Sequence, residues 1–198
     1  ANNNNGDHER GGMSVDAIID VVESNKHLRK LGIERNRIGN QHIERLCSAA
    51  HNHHLVELDL SESFEPGIGD VMLTSLLTNV DLKLEKLNMS SNNITSGVST
   101  DFLATNPRLK ALDLVDNHLN DSDSVLIANA LRSNTTLRSL NLGDITNDVL
   151  AAFRLVLCDK SNLNAVADSN HSCTLRALRY FTWNNYHIHD GDNRGRKI

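Results

Sequence analysis

Features that would point to membrane insertion or to catalysis are missing from this 198-residue chain. It contains no run of about 18 consecutive apolar residues, the length that a transmembrane helix needs. It also contains no Gly-rich phosphate loop and no GxSxG or HExxH motif. We therefore expect a protein without enzymatic activity, cofactor or small-molecule substrate, and without contact with a membrane.

Cysteine is scarce, since the chain has only Cys47, Cys158 and Cys173. An odd number of widely spaced cysteines favours free thiols in a reducing compartment over a framework of disulfides. We therefore expect a cytoplasmic protein.

The chain also lacks a large excess of charge of one sign, because 20 Lys and Arg nearly balance 25 Asp and Glu and the formal net charge is only −5. This value is too small to predict a nucleic-acid partner or an acidic membrane surface. Histidines cluster in the sequence HNHH at His51, His53 and His54, and in an HxH pair at His187 and His189. A zinc site needs three or four converging ligands, and HNHH occupies a junction that needs no metal in other repeats, so we predict no metal site.

What the chain does contain is a repeat of the form Leu-x-x-Leu-x-Leu-x-x-Asn-x-Leu. Five copies start at Leu28, Leu55, Leu84, Leu109 and Leu137, at intervals of 27, 29, 25 and 28 residues. A period of 20–29 residues with this internal spacing is typical of a repeat solenoid. The apolar residues at period two predict a short strand in each copy.

The hydrophobic period changes from two to 3.6 after each strand and its turn. Ile43, Leu46, Cys47 and Ala50, for example, form one apolar stripe of a helix. Because a single coil cannot bury its own apolar face, the helices must cover the strand layer. The sequence thus predicts a right-handed α/β solenoid, a horseshoe with parallel strands on the concave face and helices on the convex face.

The solenoid is predicted over residues 13–178, with full coils that start near residues 28, 55, 84, 109 and 137. Residues 1–12 are interpreted as the loop of an incomplete preceding coil. Residues 179–198 are interpreted as a C-terminal cap or a truncated extension. Their aromatic residues favour a cap, because an end coil must have its open core covered, and a binding patch is the alternative. These aromatic residues are Tyr180, Phe181, Trp183 and Tyr186.

The polar position of the repeat is filled by Asn36, Asn92 and Asn117, with Ser63 in the second copy. An inward Asn at the end of a strand can bond backbone groups that a sharp turn leaves unpaired, each bond contributing roughly 1 kcal/mol. We therefore predict that these Asn residues form a structural ladder.

With coils of 25–29 residues, full helices and LxxLxLxxN strands, the chain resembles the ribonuclease-inhibitor-like subfamily of leucine-rich repeat proteins. The resemblance implies a non-catalytic scaffold that binds a partner protein on its concave strand face and adjoining loops. Two alternatives remain open: a sensor segment of a larger signalling receptor, and a Ran-type GTPase-activating protein. The motif covers scaffold positions only, so no catalytic residue is carried over.

Residues between the strand leucines alternate with them and are expected on the concave face. Acidic side chains outnumber basic ones among them, which favours a partner protein with a basic patch. The residues predicted to bind the partner on this face are Lys30, Glu34, Glu57, Asp59, Lys86, Asn88, Asp113, Asp116, Asn141 and Asp144.

The second coil carries an extra loop from Ser61 to Gly69. Insertions in repeats often lie on the binding rim, so Glu62, Phe64 and Glu65 are further candidates for partner contact. Phe64 has two interpretations, an exposed anchor for the partner or a side chain that folds back into the core. The next inward apolar residue is expected at Ile68.

Overall fold

The computed structural model describes residues 14–52, 55–78, 83–96, 98, 100–105 and 107–178. The predicted loop at residues 1–12 and the predicted cap at residues 179–198 lie outside the described residues. The same holds for His53, His54, His187 and His189.

Six parallel strands form one open sheet, and their order in the sheet is their order in the chain. They are β1 Lys30–Gly32, β2 Glu57–Asp59, β3 Lys86–Asn88, β4 Ala111–Asp113, β5 Ser139–Asp144 and β6 Thr174–Leu178. The register pairs equivalent repeat positions, so that Leu58, Leu87, Leu112 and Leu140 stand side by side. Parallel strands need a long crossover connection, which is usually a helix.

The described residues contain seven α-helices, of which the first precedes β1 and the other six lie in the connections between strands. They are α1 Val15–Ser24, α2 Ile43–Asn52, α3 Ile68–Leu77, α4 Thr100–Ala104, α5 Asp121–Ala130, α6 Asn147–Leu157 and α7 Leu163–Asp168, with a 3₁₀ turn at Asn40–His42 before α2. Short polar side chains cap several of them, as expected for helix starts. Ser14 accepts from the backbone N–H of Ala17, and Asn120 from that of Asp123.

The core lies between the helices and one side of the sheet. The strand leucines and the apolar helix stripes belong to one buried cluster, in which Leu112 is 1% exposed and Leu73 is fully buried. Each buried Leu contributes roughly 1.5–3 kcal/mol relative to an exposed one. The predicted α/β repeat solenoid, with parallel strands on one face and helices on the other, is confirmed.

The opposite side of the sheet carries the residues that alternate with these leucines. Its side chains are exposed or half-buried in the part of the chain that the structure describes. We call this surface the strand face, and it consists of Lys30, Gly32, Glu57, Asp59, Lys86, Asn88, Ala111, Asp113, Ser139, Asn141, Thr174 and Arg176.

Charged side chains also link the outer surfaces of neighbouring helices. Arg45 of α2 contacts three carboxylates of α1, with Nη1 3.2 Å from Asp16 and Nη2 2.8 Å from Glu23. The third carboxylate is that of Asp20. Hydrogen bonds to Glu23 and then Asp20 raise the pKa of Arg45 above its ordinary value, so the guanidinium stays charged at any physiological pH.

Two regions differ from the regular repeat. Helix α4 has five residues in the part of the chain that the structure describes, whereas α1, α2, α3, α5 and α6 have ten or eleven. Strand β5 is longer than its neighbours, and its pairing with β6 shifts in register between Asn141 and Gly143. Gly143 has a φ of +72°, which L side chains rarely adopt, so the glycine permits this bend.

None of the described helices has the length and apolar character needed to cross a membrane.

Candidate functional site

The strand face is held in place by a line of polar side chains at the carboxyl ends of the strands. The buried Asn92 donates from Nδ2 to the carbonyls of Leu60 (2.7 Å) and Met89 (3.0 Å). Its Oδ1 accepts from the backbone N–H groups of Ser63 (2.8 Å) and Phe64 (3.1 Å). These bonds join the second and third coils and satisfy backbone groups that the turn leaves unpaired.

The same bonding recurs at the equivalent positions of other coils. Asn117 Oδ1 accepts from the N–H groups of Asn92 and Ile94, and its Nδ2 donates to Met89 and Leu114. Asn36 donates to the carbonyl of Ile33 at 2.8 Å. Ser63 Oγ donates to the same Ile33 carbonyl at 2.7 Å and so connects the first coil to the second. With Ser63 included, the series of hydrogen bonds runs from the first strand turn to the fourth.

The residue before each of these polar positions has a left-handed backbone. The φ values are +60° at Arg35, +51° at Glu62, +56° at Ser91 and +55° at Asp116. Non-glycine residues enter this region uncommonly, so the adjacent turn bonds must hold them there. The turn thereby fixes the direction in which Glu62 and Asp116 leave the sheet.

The centre of the strand face is a column of alternating Asp and Asn. Asn88 donates from Nδ2 to Asp59 Oδ2 at 3.0 Å, and Asn141 donates to Asp113 Oδ2 at 3.0 Å. Asp59 Oδ1 also accepts from the N–H of Ser61 at 3.0 Å. Each carboxylate is therefore already engaged by the neighbouring coil and by its own turn, which leaves less of its bonding capacity for a partner.

A second column contains an acid between two bases. The carboxylate of Glu57 lies 2.9 Å from Lys30 Nζ and 2.9 Å from Lys86 Nζ. Hydrogen bonds from Lys86 and then Lys30 hold the pKa of Glu57 below its ordinary value. Glu57 is therefore ionised, and its negative charge is offset by the two lysines.

The carboxyl ends of the strands carry acids of a different kind. Glu34, Asp116 and Asp144 are exposed and make no salt bridge among the described residues. The Glu34 carboxylate lies over Gly32, where a β-carbon at Gly32 would be 2.8 Å from Oε2. We call Glu34, Asp116 and Asp144 the acidic edge.

The amino ends of the strands are basic, which the sequence analysis missed. We call these side chains the basic edge, and they are Arg29, Lys30, Lys83, Lys86, Arg108, Lys110 and Arg138, all exposed. The alternation rule places only residues inside the strand on the face. Several of these bases precede the strand, so the rule does not place them on the face. A sequence signal for the basic edge does exist at the second position of each repeat copy, where three of the five residues are basic. The residues at this position are Arg29, Val56, Glu85, Lys110 and Arg138.

The rim loop is arranged around Phe64. This side chain is half-buried and packs against the core, and its backbone forms a parallel bridge with Ile38. The position favours the core interpretation of Phe64 over that of an exposed anchor. Phe64 thus supplies inward packing before Ile68, which also packs against the core. Glu65 is exposed, and Glu62 is bound to Arg35 at 2.9 Å.

Two further features bear on chemistry, the thiol of Cys47 and the side chains that could bind a metal ion. Cys47 lines a shallow depression between α2 and α3 together with Glu44 and Ser75. Burial raises the pKa of its thiol to about 11, so it is protonated at neutral pH and a poor nucleophile. No group of three His, Cys, Asp or Glu side chains suitable for a metal ion occurs among the described residues.

Two segments of the chain match known families of repeats. Residues 83–104 match a model described as Leucine Rich Repeat, and residues 105–128 match another described as Leucine Rich repeat. The first segment contains β3 and α4, and the second contains β4 and most of α5. No curated protein matches the chain. The two matches support a leucine-rich repeat protein, and such repeats commonly mediate protein–protein interaction and are typically non-catalytic.

Proposed function

We propose that this leucine-rich repeat protein is a protein-binding module of the ribonuclease-inhibitor-like type, which binds its partner on the strand face and the adjoining turns. One observation carries this proposal. A sheet of six parallel strands packs its leucines against the core on one side and presents mostly polar side chains on the other. An extended surface of this kind is what repeat proteins use for binding.

The rigidity of the surface also supports binding. Hydrogen bonds of Asn92 and Asn117 cross-link successive coils, and pairs such as Asn88 with Asp59 fix outward side chains. A surface that is ordered before the partner arrives loses little side-chain entropy on binding, which favours affinity.

The acidic edge gives the first element of partner selectivity. Glu34, Asp116 and Asp144 are exposed carboxylates at the end of the face, and they complement a basic patch on the partner. Charges at such a rim mainly raise the association rate and suppress wrong partners. The engaged carboxylates Asp59 and Asp113 contribute to the shape of the face more than to its charge.

The proposal is tested by blocking the strand face without changing its charge. Ala111 and Ser139 are neighbouring, half-buried residues of the face, and Ala111→Tyr with Ser139→Tyr fills the space above them. The matched control is Asn129→Tyr with Ala151→Tyr, at exposed positions of α5 and α6. Binding proteins are captured from a cytosolic extract by wild type and both variants, and quantified by mass spectrometry.

We expect a set of proteins that wild type and the helix control retain equally and that the strand-face variant loses at least tenfold. Both variants must first melt as single transitions near the wild-type temperature. Equal retention by all three proteins would contradict binding on the strand face. Loss confined to the helix control would move the binding surface to the helices.

A further inference from the structure

The amino-terminal edge of the sheet has a charge opposite to that of the whole chain. The basic edge contains seven Lys and Arg residues. Among the described residues, two carboxylates, Glu57 and Glu85, lie between them, which leaves an excess of five positive charges. The complete chain has a net charge of −5. A cluster of like charges on an oppositely charged protein repels itself and creates a strong local potential.

The two carboxylates within the basic edge are already engaged. Glu57 is held by Lys30 and Lys86, as described above. Glu85 lies 2.9 Å from Lys110 Nζ, and Lys110, with Arg108 and Arg29 beyond it, holds the pKa of Glu85 below its ordinary value.

Four bases of this edge are not in direct contact with a carboxylate of the described residues. Among the described residues, Arg29, Lys83, Arg108 and Arg138 form no salt bridge. They are exposed, and the described residues place no carboxylate in direct contact with them, which points to an external anionic ligand.

We propose that the basic edge is a second subsite of the strand face, which binds an acidic segment of the partner protein. This inference rests on the proposed function and names the chemistry of one half of the interface. The second repeat positions carry Arg29, Glu85, Lys110 and Arg138, and neighbouring strands stand about 4.8 Å apart, so the row crosses roughly 19 Å from β1 to β5. An extended peptide rises about 3.3 Å per residue, and a segment of roughly six residues spans the row.

The two edges together select for a protein and against a uniform polyanion. Glu34, Asp116 and Asp144 lie at the opposite ends of the same short strands. A nucleic acid or an acidic membrane that approached the basic edge would also meet these carboxylates and be repelled. A partner protein with an acidic segment beside a basic patch matches both edges in only one orientation.

The test uses a fluorescent peptide of eight glutamates, with a peptide of alternating Gly and Ser as the neutral control. Binding is measured by fluorescence anisotropy at low and at high salt. The edge variant is Arg108→Glu with Arg138→Glu. The matched control is Arg154→Glu with Lys160→Glu, which makes the same change in net charge at exposed positions outside the strand face. A second edge variant, Arg108→Gln with Arg138→Gln, covers the case in which the Glu variant folds poorly.

We expect wild type to bind the glutamate peptide and not the neutral one, with affinity that falls as salt screens the charges. The Glu edge variant should weaken binding at least tenfold, the Gln edge variant less, and the control variant less than twofold. An equal loss in edge and control variants would overturn the proposal, because binding would then follow net charge alone. Absence of binding by wild type would overturn it as well.

An oligothymidylate of matched charge identifies a polyanion surface. If it bound wild type as tightly as the glutamate peptide and with the same dependence on Arg108 and Arg138, the selectivity for protein would be refuted. The two proposals also fail separately. If the Tyr strand-face variant loses captured proteins but wild type does not bind the glutamate peptide, only the basic-edge proposal is refuted. If wild type binds the peptide but the Tyr variant captures the same proteins as wild type, the proposed function is refuted.

Discussion

Single residues at one position of the repeat hold the turns together. Asn92 accepts from two backbone N–H groups and donates to three carbonyls. Ser63 occupies the same position in the second coil, where its hydroxyl is bonded to two carbonyls. The sequence predicts this position from its recurrence. It does not predict the fifth coil, where Ile145 stands in the polar slot and Gly143 provides the bend instead. A glycine signals backbone freedom, but only the pairing with β6 shows how that freedom is used.

Replacing Asn92 tests this account at the residue scale. Asn92→Ala should lower the free energy of unfolding by about 2 kcal/mol or more, since each buried polar group left unpaired costs roughly 1–3 kcal/mol. Asn92→Ser should lose less, because Ser63 serves in the same position of the second coil. Denaturant unfolding measures both losses.

The control for that comparison is Asn129→Ala on the exposed side of α5. It should be neutral or slightly stabilising, because Ala has the highest helix propensity. Equal stability of the Asn92→Ala and Asn129→Ala proteins would mean that the turn bonds contribute nothing.

At the scale of elements, the strands were more predictable than the helices and loops. Three-residue strands such as Glu57–Asp59 follow directly from the leucine spacing, because each inward Leu fixes its two outward neighbours. The length of α4 does not follow, since five helical residues already bury Phe102 and Leu103 and the repeat sets no minimum. The position of Phe64 also depends on tertiary contact with Ile38, which spacing alone does not reveal.

Charge pairing between adjacent strands gives a prediction about pH. Lys86→Gln removes the larger of the two hydrogen bonds that depress the pKa of Glu57, so this pKa should rise towards the ordinary value of about 4.3. NMR titration of the glutamate carboxyl carbons measures the change. Lys110→Gln is the matched control and should raise the pKa of Glu85 while leaving that of Glu57 in place.

The sign of the stability effect follows from the depressed pKa. A carboxylate of this kind stabilises the fold above its unfolded pKa, and the contribution is lost as pH falls through the folded pKa. The difference in stability between wild type and Lys86→Gln should therefore shrink on acidification below roughly pH 4.3. A difference that grew on acidification would contradict the ion pairs seen across β1, β2 and β3.

The whole molecule is a layered solenoid whose exposed sheet surface is polar along the strands. Bases collect at the amino ends and free carboxylates at the carboxyl ends, with the Asp and Asn column between them. The sequence predicts the layers, because their period is repeated in every coil. It does not predict the charge polarity, because Lys83 and Arg108 precede β3 and β4 and the alternation of side chains applies only within a strand.

The most direct test of the central claim, that the strand face binds the partner, is site-specific photo-crosslinking. A benzophenone amino acid replaces Ala111 on the strand face in one protein and Ala151 on α6 in another, and each is irradiated in extract. Our account predicts that the protein labelled at residue 111 forms a covalent adduct with a protein that the Tyr strand-face variant fails to capture, while the protein labelled at residue 151 does not. An adduct of that partner from residue 151 alone would contradict the account.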